Sequence, residues 1–370
     1  MEVAPFRIEQ YFAVHEFTAP HLLSSSDAES VAVADLLALE PDATERLFAQ
    51  RLGYTESSGA PELRAAASAL YATTASEDVV VVAAAEEGIF VAYHALVQPG
   101  DHVVVETPCY ESALQVARSA GAEVTEWRRS AASGWAHDLD ALEAALRPDT
   151  RLVYINTPHN PTGLLMPRNV LDRVVALCAE RGAWLFSDEV YRELEHDAAD
   201  LLPAAVDLYD RAISLGSMSK TYGLPGLRLG WLASRDRATL ARIVDLKHYT
   251  TICSSAPSEL LSALALRHRR VFADRSRAIV LANLSLLDAF LARHAHRFSW
   301  VRPNASTIGF VRIEGFEDTS RFCEQLVAEA GVLLLPGTVY DEPAHVRVGF
   351  GRASMPDVLQ LFEGWLETRS

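Results

Sequence analysis

Reactive side chains follow three short apolar runs of the sequence. Asn160 comes directly after a run that includes VYIN and the turn TPH, and Asp188 and Tyr191 end the run LFSDEVY. Lys220 follows ISLG and is one of only two lysines in a chain that has thirty-one arginines. A primary amine attacks an aldehyde to form a Schiff base, which the guanidinium group of arginine cannot do. The lysine at this position therefore predicts chemistry on a carbonyl compound.

The neighbouring polar residues suit one particular aldehyde. A carboxylate such as Asp188 inside a covered sheet needs a cation as its partner, and a protonated pyridine nitrogen would serve. Ser217 and Arg228 flank Lys220 and suit a phosphate group. The amide of Asn160 and a nearby phenol suit a ring oxygen. An aldehyde, a pyridine nitrogen, a phenolic oxygen and a phosphate together describe pyridoxal 5′-phosphate.

Each of these residues, taken singly, has an ordinary structural explanation. NPTG makes a good turn because of its Pro and Gly, and a single lysine is most often a solvated surface residue. Tyr110, which follows a fourth apolar run, HVVVETP, and Tyr191 belong to a residue type that most often packs in cores or interfaces. A shared site is favoured by their order, since they fall at successive strand ends, and parallel strands bring those ends to one edge of a sheet.

The intervening pattern predicts the elements that would position these side chains. Apolar residues at helical spacing alternate with short β-branched runs from about residue 60. The predicted helices are PELRAAASALY, EGIFVAYHALV, LDALEAALR and VLDRVVALCAERG, and the predicted strands are DVVVVAAA, HVVVETP, RLVYINTP, AWLFSDEV and RAISLGSMS. Apolar strands between helices are typical of a mainly parallel sheet that is covered on both faces.

The chain is long enough for two lobes, since 370 residues exceed the usual size of one core. Residues 45–265 are predicted to form a large three-layer α/β/α domain. Residues 1–44 and 266–370 are predicted to form a smaller α+β domain that contains FVRIEGF, VLLLPG and HVRVGF. A long helical stretch over about 255–295 would join the two.

Composition argues against several classes of partner. The net charge of −16 opposes binding to nucleic acid or to an anionic membrane, and no apolar run is long enough to span a bilayer. The N-terminus lacks the basic region of a signal peptide. The four cysteines are far apart and have no histidine at metal-site spacing. We therefore expect a cytoplasmic protein with reduced thiols and without a metal site.

The ordered motifs resemble those of a known family. Tyr54 and the following GAPELR, then HNPTG, SDEVY, SKTYGLPGLRLGW and HVRVGF, are similar to class I/II aminotransferases of the fold-type I pyridoxal-phosphate superfamily. The resemblance covers nearly the whole chain. It implies a PLP-dependent enzyme, where PLP is pyridoxal 5′-phosphate, that acts as a homodimer with shared active sites.

The resemblance also implies a role for each matching residue. Lys220 would hold the cofactor as a Schiff base and move the proton between the substrate Cα and the cofactor C4′, while Asp188 would keep the ring nitrogen protonated. Asn160 and Tyr191 would bind the ring oxygen, and Tyr110 would lie on the ring face. The implied phosphate contacts are Ser217, Ser219, Arg228 and the backbone of Ala85 and Glu86, with Tyr54 at the partner's phosphate. Arg347 and Asn160 would contact the substrate, with Arg347 on its α-carboxylate.

The chain departs from the family pattern in three places. Ala84 and Glu86 stand where a glycine and a hydroxyl residue are common, so the Glu86 side chain is expected to point away from the phosphate. HLLSSSDAES replaces a Gly-rich substrate loop, and PNASTIGF lacks paired glycines. The last two changes fall where substrate selectivity, rather than cofactor binding, would be decided.

The predicted reaction is transfer of the amino group of an L-amino acid to a 2-oxo acid. The alternative is a PLP-dependent lyase, replacement enzyme or cyclase, because the same cofactor residues serve all of these outcomes. The SSS segment and LPGLRLGW are also similar to enzymes that cyclise hydroxylated arginine, such as capreomycidine synthase. A regulatory module on the same fold is disfavoured, since the sequence before Tyr54 has no room for a winged helix and the acidic charge opposes DNA. The sequence does not name the substrate.

Overall fold

The structure is a computed structural model that describes residues 3–369. Its N-terminal segment begins with a helix and a short strand that precede the main sheet. These first elements are α1 (Arg7–His15), β1 (His21–Leu22), α2 (Val33–Leu37), α3 (Ala43–Ala49) and α4 (Pro61–Ser68).

A seven-stranded sheet and its helices come next in the chain. In order they are β2 (Val79–Val82), α5 (Ala84–Leu96), β3 (His102–Thr107), α6 (Ser112–Ser119), β4 (Glu123–Arg128), α7 (Leu139–Ala145), β5 (Thr150–Asn156), α8 (Arg168–Arg181), β6 (Trp184–Asp188), α9 (Ala205–Leu208), β7 (Ala212–Ser217), β8 (Gly230–Ala233) and α10 (Arg237–Lys247). The strand order is β2-β8-β7-β6-β5-β3-β4, and only β8 runs antiparallel to its neighbours.

Successive side chains of the central strands enter two different cores. Val103 and Val105 of β3 pack on one face with α5 and α6, whereas Val104 packs on the other with Trp127 and Val153. Because side chains alternate along a strand, a sheet with apolar residues at every position must be covered on both faces. The result is the expected three-layer α/β/α arrangement.

The C-terminal part builds a second, smaller sheet. Its elements are α11 (Ala256–Arg267), α12 (Arg269–Arg293), β9 (Phe298–Trp300), β10 (Ile308–Ile313), α13 (Ser320–Ala330), β11 (Val332–Leu333), β12 (Leu335–Pro336), β13 (His345–Gly349) and α14 (Met355–Glu367). The strands β12-β13-β10-β9 form an antiparallel sheet, and β11 pairs in parallel with β1. The N-terminal segment thus joins the smaller lobe through β1. The predicted fold class is confirmed, and the exact domain bounds stay a prediction.

Several element boundaries differ from the sequence prediction. The strand predicted over DVVVVAAA ends at Val82, because Ala84 has a φ of 65° and begins α5 three residues before the predicted helix. The helical stretch 255–295 is two helices that meet at His268, whose φ and ψ of −106° and 22° interrupt the helix. The prediction missed α6. It also missed the edge strand β4, in which only Trp127 is buried. Within residues 3–369, no helix is both long and apolar enough to cross a membrane.

Candidate active site

The strand ends of the large sheet bring the first group of predicted residues together. The last residues of β5 and β6, Asn156 and Asp188, are direct partners in the parallel register. The next strand, β7, ends at Ser217, and Lys220 lies in the turn after it. Short parallel strands of similar length therefore place Asp188, Ser217 and Lys220 along one edge, as the sequence predicted.

Asp188 is buried and hydrogen-bonded. Its carboxylate accepts a hydrogen bond from the Tyr154 hydroxyl at 3.0 Å and one from the Val190 N–H at 3.2 Å. Burial raises the pKa of Asp188 to about 6, against the opposing effects of these two hydrogen bonds and of the charge on Lys220. A buried carboxylate in this condition favours a cationic partner, which a protonated ring nitrogen would provide.

Lys220 is half-buried, and its amine lies close to the N-terminal segment. Nζ donates a hydrogen bond to Ser26 Oγ at 2.8 Å and lies 5.9 Å from the centre of the Tyr191 ring. Burial lowers the pKa of Lys220, while the charges of Asp27 and Asp188 oppose that shift. A lowered pKa increases the fraction of neutral amine, which is the form that attacks an aldehyde or accepts a proton.

A helix start, a serine pair and an arginine form the end of the pocket that would receive a phosphate. Ser217 Oγ donates to Ser219 Oγ at 3.0 Å and accepts from the Ser219 N–H at 3.1 Å. The start of α5 packs closely on β8, since a Cβ at Gly230 would lie 3.2 Å from the Ala85 nitrogen. The exposed Arg228 lines the same region. Helix N-termini, hydroxyls and arginine are suitable donors to a phosphate.

Arg347 lies on β13 and is 1% exposed. Its NH1 donates to the Tyr340 hydroxyl at 2.7 Å and its NH2 to the Ser24 carbonyl at 2.9 Å. The Tyr340 hydroxyl in turn donates to Asn160 Oδ1 at 2.9 Å. The guanidinium is held without a carboxylate partner in the described residues and still faces the pocket, as a receptor for an anionic group must.

The wall above the strand ends contains Tyr110 and two acidic residues. The Tyr110 hydroxyl donates to Glu9 Oε1 at 2.6 Å, and its ring meets Phe6 edge-on at 5.0 Å. Burial raises the pKa of Glu86 to about 7, and repulsion from Glu9 and Asp188 adds to the shift. The Glu86 side chain therefore interacts with the acidic groups of the pocket, and its orientation away from a phosphate stays a prediction.

These residues enclose one cavity of about 300 Å³. All the predicted site residues line it except Tyr54, which is 92% exposed and lies elsewhere on the surface. The sequence prediction missed several lining residues, which come mainly from the N-terminal segment: Ile8, Glu9, Phe12, Glu16, Ser25, Ser26, Asp27, Ile89, Asn156, Val190 and Pro225. The unusual HLLSSSDAES segment was a signal for Ser25, Ser26 and Asp27, whereas the sequence pattern did not point to the others.

Two buried polar atoms suggest that the cavity is shaped for a ligand with complementary groups. Arg347 Nε is buried without a hydrogen-bond partner, and the buried Tyr191 hydroxyl has only a weak contact with the Ser26 side chain. Buried polar groups are normally paired, so unpaired ones at a cavity indicate that a ligand completes them. A ring oxygen and a carboxylate would do so, and pyridoxal phosphate with an amino acid supplies both. Within residues 3–369, no group of three or more His, Cys, Asp or Glu side chains is placed to hold a metal ion.

Comparison with known proteins identifies the family and the fold of the chain. The profile of the family described as "Aminotransferase class I and II" matches residues 23–360. Capreomycidine synthase from Streptomyces vinaceus is 32% identical over 345 residues, which cover 93% of this chain and 88% of that protein. A PLP-dependent aminotransferase from Streptococcus suis superposes with a TM-score of 0.94 at 32% identity, covering 100% of this chain and 99% of that one.

A second solved structure, the PLP-dependent cyclase OrfR, superposes with a TM-score of 0.92 at 28% identity and covers 100% of this chain and 99% of that one. The chain belongs to the class I and II aminotransferase family. It is a PLP-dependent enzyme with the fold of that family.

Proposed function

We propose that the protein is an aminotransferase that moves the amino group of an L-amino acid to a 2-oxo acid. The observation that carries the proposal is that Lys220 shares its cavity with two recognition groups. Asp188 at the strand ends and Arg347, whose Nε is unpaired, line the cavity with Lys220, and the charges of both act on its amine. A substrate whose α-carboxylate is bound by Arg347 would present its Cα to the lysine.

Bound pyridoxal phosphate supplies an electron sink for the carbanion that forms at Cα and carries the amino group between the two acids. Lys220 holds the cofactor through its amine and then takes the Cα proton, for which its lowered pKa is suited. Asp188 keeps the proton on the ring nitrogen, and Asn160 and Tyr191 bind the ring oxygen. Tyr110 covers the ring face.

The phosphate is assigned to the serine pair and the start of α5. Ser217, Ser219 and Arg228 contribute side chains, and Ala85 and Glu86 contribute backbone N–H groups. Arg347 binds the α-carboxylate, with Asn160 beside it. The support for these roles is that all of these residues line one cavity and that each carries the donor or acceptor its role requires.

The proposed assembly is a homodimer in which Tyr54 reaches the partner's phosphate site. The support is a set of exposed apolar side chains: Phe48 and Leu52, each 84% exposed, precede Tyr54, and Tyr249 is 90% exposed. The segment of Tyr249 contacts the residues that follow Tyr54, through the Thr55–Ser254 and Lys247–Ser57 hydrogen bonds. Neighbouring exposed apolar side chains are typical of a surface that a partner covers. Sedimentation should give a dimer, and Tyr54→Phe should weaken cofactor binding about ten-fold. A monomer with full cofactor affinity would contradict this assembly.

A second candidate is cyclisation of an amino acid by the same residues. It is favoured by the similarity to capreomycidine synthase and to the cyclase OrfR. It is also favoured by Ser25, Ser26 and Asp27, which line the cavity in the segment that replaces the usual Gly-rich loop. Both candidates require loss of the Cα proton and differ only in the fate of the substrate after that step.

A single-turnover experiment separates the two. Purified protein saturated with pyridoxal phosphate is mixed with single amino acids, including arginine and hydroxyarginine, without any oxo acid. We expect the cofactor to become pyridoxamine phosphate with release of one equivalent of oxo acid, identified by mass. Recovery of pyridoxal phosphate with a cyclised or eliminated product would establish the second candidate. Lys220→Arg is the control, since it keeps the positive charge but cannot form the Schiff base.

A further inference from the structure

The first helix lies across the mouth of the active-site cavity. Ile8, Glu9, Phe12 and Glu16 all line the cavity. Residues three and four apart share one side of a helix, so α1 and the residue after it present Glu9, Phe12 and Glu16 as one stripe. The arginine of α1 does not pair with the glutamates of this stripe, because Arg7 forms an ion pair with Glu111 at 2.9 Å.

Contacts with both lobes fix the position of this helix. Arg7 NH1 donates to Asp341 Oδ1 at 2.8 Å, and Arg7 Nε donates to Glu111 Oε1. The Tyr11 hydroxyl donates to the Leu334 carbonyl at 3.0 Å, and Ile8 is fully buried. The two glutamates of the stripe are therefore held at the cavity by a docked helix rather than by a free terminus.

Among the described residues, neither acidic group of the stripe forms an ion pair, and the charges of Arg352 and Lys220 act on Glu16 only from a longer distance. Glu9 is bound only to the neutral Tyr110 hydroxyl, and the Glu16 carboxylate has no hydrogen bond or ion pair with any residue in the part of the chain that the structure describes. Asp27 differs from both, since it is paired with Arg352 at 2.7 Å. Glu86 adds a further acidic group to the same cavity.

Arg347 lies beside the stripe and determines where in the cavity an α-carboxylate would bind. The Arg347 guanidinium lies 5.7 Å from the centre of the Phe12 ring, so the anion receptor faces the middle of the stripe. Arg347 is nine-tenths or more buried and keeps an unpaired Nε at the cavity. A ligand whose α-carboxylate is held there lies close to Phe12, and Glu9 and Glu16 are one turn away from Phe12 on either side.

We propose that the substrate is an amino acid with a cationic side chain, a guanidinium or an alkylammonium group, which Glu9 and Glu16 bind. The inference rests on the proposed action on an α-amino acid. A cation between the two carboxylates forms charge-assisted hydrogen bonds, whereas a neutral side chain leaves both without a cationic partner and an acidic one is repelled. The carboxylates of α1 thus select the side chain while Arg347 binds the end that all amino acids share.

The first test is an absorbance titration of the PLP-loaded protein with L-arginine, L-lysine, L-citrulline and L-glutamate. Citrulline has the length and shape of arginine, but its side chain carries no charge. We expect arginine or lysine to bind at least about ten-fold more tightly than citrulline, and glutamate to bind most weakly. The ratio of arginine to lysine identifies which cation is preferred. The advantage over citrulline should shrink between low salt and about 0.5 M salt, because ions screen partly exposed charges.

The second test removes the carboxylates without changing their shape. Glu9→Gln and Glu16→Gln should each reduce the preference for the cation over citrulline about three-fold or more, and the double variant should abolish it. Glu317→Gln, an exposed change in the smaller lobe, is the matched control and should keep the preference. The salt dependence of the wild-type protein provides an independent reading if a variant folds poorly.

Two outcomes would overturn the inference. One is equal binding of arginine, lysine and citrulline by the wild-type protein, and the other is a preference that both Glu→Gln changes leave intact. Either would leave the proposed function standing, since the protein would still act on amino acids. By contrast, no spectral change with any amino acid would contradict the proposed function itself.

Discussion

The two walls of the cavity are built in different ways. The lower wall consists of strand ends, where Asp188 and Ser217 are buried and held by the register of neighbouring strands. The upper wall is a helix from the N-terminal segment, whose Glu9 is exposed and whose Glu16 is half-buried. Rigid, buried groups suit chemistry that needs fixed geometry, and a docked surface helix can change its side chains at little cost to the fold.

This contrast separates the reaction from the choice of substrate. Lys220 belongs to the strand-end wall through its turn, yet its amine is hydrogen-bonded to Ser26 of the N-terminal segment. The contact joins the two walls at the reactive atom. Changes in the lower wall should therefore alter the rate at saturating substrate, and changes in the upper wall should alter the concentration needed for saturation.

The largest effect is expected at Lys220. Lys220→Arg should lower turnover at least about a thousand-fold, because the guanidinium can neither hold the cofactor nor take the Cα proton. Its unfolding free energy should change by less than about 1 kcal/mol. Steady-state rates and urea unfolding check both statements. Activity within ten-fold of the wild type would contradict the role of this residue.

The second lysine is the control for that change. Lys247 is fully buried and donates to the carbonyls of Ser57 and Val81, each at 2.8 Å, outside the cavity. Lys247→Met leaves these carbonyls unpaired and should lower the unfolding free energy by about 2 kcal/mol. Turnover per folded molecule should stay unchanged, so the two lysines should show opposite patterns.

An intermediate effect is expected at Asp188. Asp188→Asn removes the charge that we propose faces the ring nitrogen and should lower turnover about a hundred-fold. The arginine-to-citrulline preference should be unaffected, since Asp188 lies in the wall of strand ends. Parallel titrations of the two amino acids measure that preference. A lost preference together with normal turnover would mean that the walls are not separate in function.

The smallest effect concerns Glu86 and the pH dependence of stability. Its folded-state pKa of about 7 lies above the ordinary value of 4.5. The stability that the protonated group contributes is thus complete below about pH 4.5 and lost as the pH rises to about 7. Glu86→Gln cannot ionise, so its unfolding free energy should exceed that of the wild type by about 2 kcal/mol at pH 8 and by much less near pH 5.5.

Urea unfolding of the cofactor-free protein across this pH range measures the difference. Glu317→Gln, in which an exposed carboxylate is replaced, should show no such trend. A gain from Glu86→Gln that is constant with pH, or that falls as the pH rises, would contradict the placement of this carboxylate in a poorly hydrated part of the cavity.

The sequence predicts the strand-end wall well because local pattern determines it. Each apolar run ends where a polar residue appears, and strand register then aligns Asn156 with Asp188. The boundary before Ala84 is not visible in this way, since VVVVAAA continues without a polar break. Ala84 there has a left-handed conformation and lies close to Gly230 of another strand.

The helix wall could not be predicted because its contacts join distant parts of the chain. Arg7 meets Asp341 across 334 residues, and Tyr11 meets Leu334 across 323. Such contacts depend on how the two lobes pack, which the periodicity of single segments does not reveal. The sequence did indicate, through HLLSSSDAES, that this segment is unusual. It did not indicate that Glu9 reaches the cavity from still further upstream.

One measurement tests both walls together. The wild-type protein with excess pyridoxal phosphate is incubated in heavy water with L-arginine or L-citrulline, and loss of the Cα proton is monitored by NMR. The rate seen with Lys220→Arg serves as background. We predict similar exchange rates at saturation for the two amino acids and a half-saturating concentration about ten-fold lower for arginine. The absence of exchange with every amino acid that binds would contradict these roles. So would a higher exchange rate at saturation for arginine without a lower half-saturating concentration.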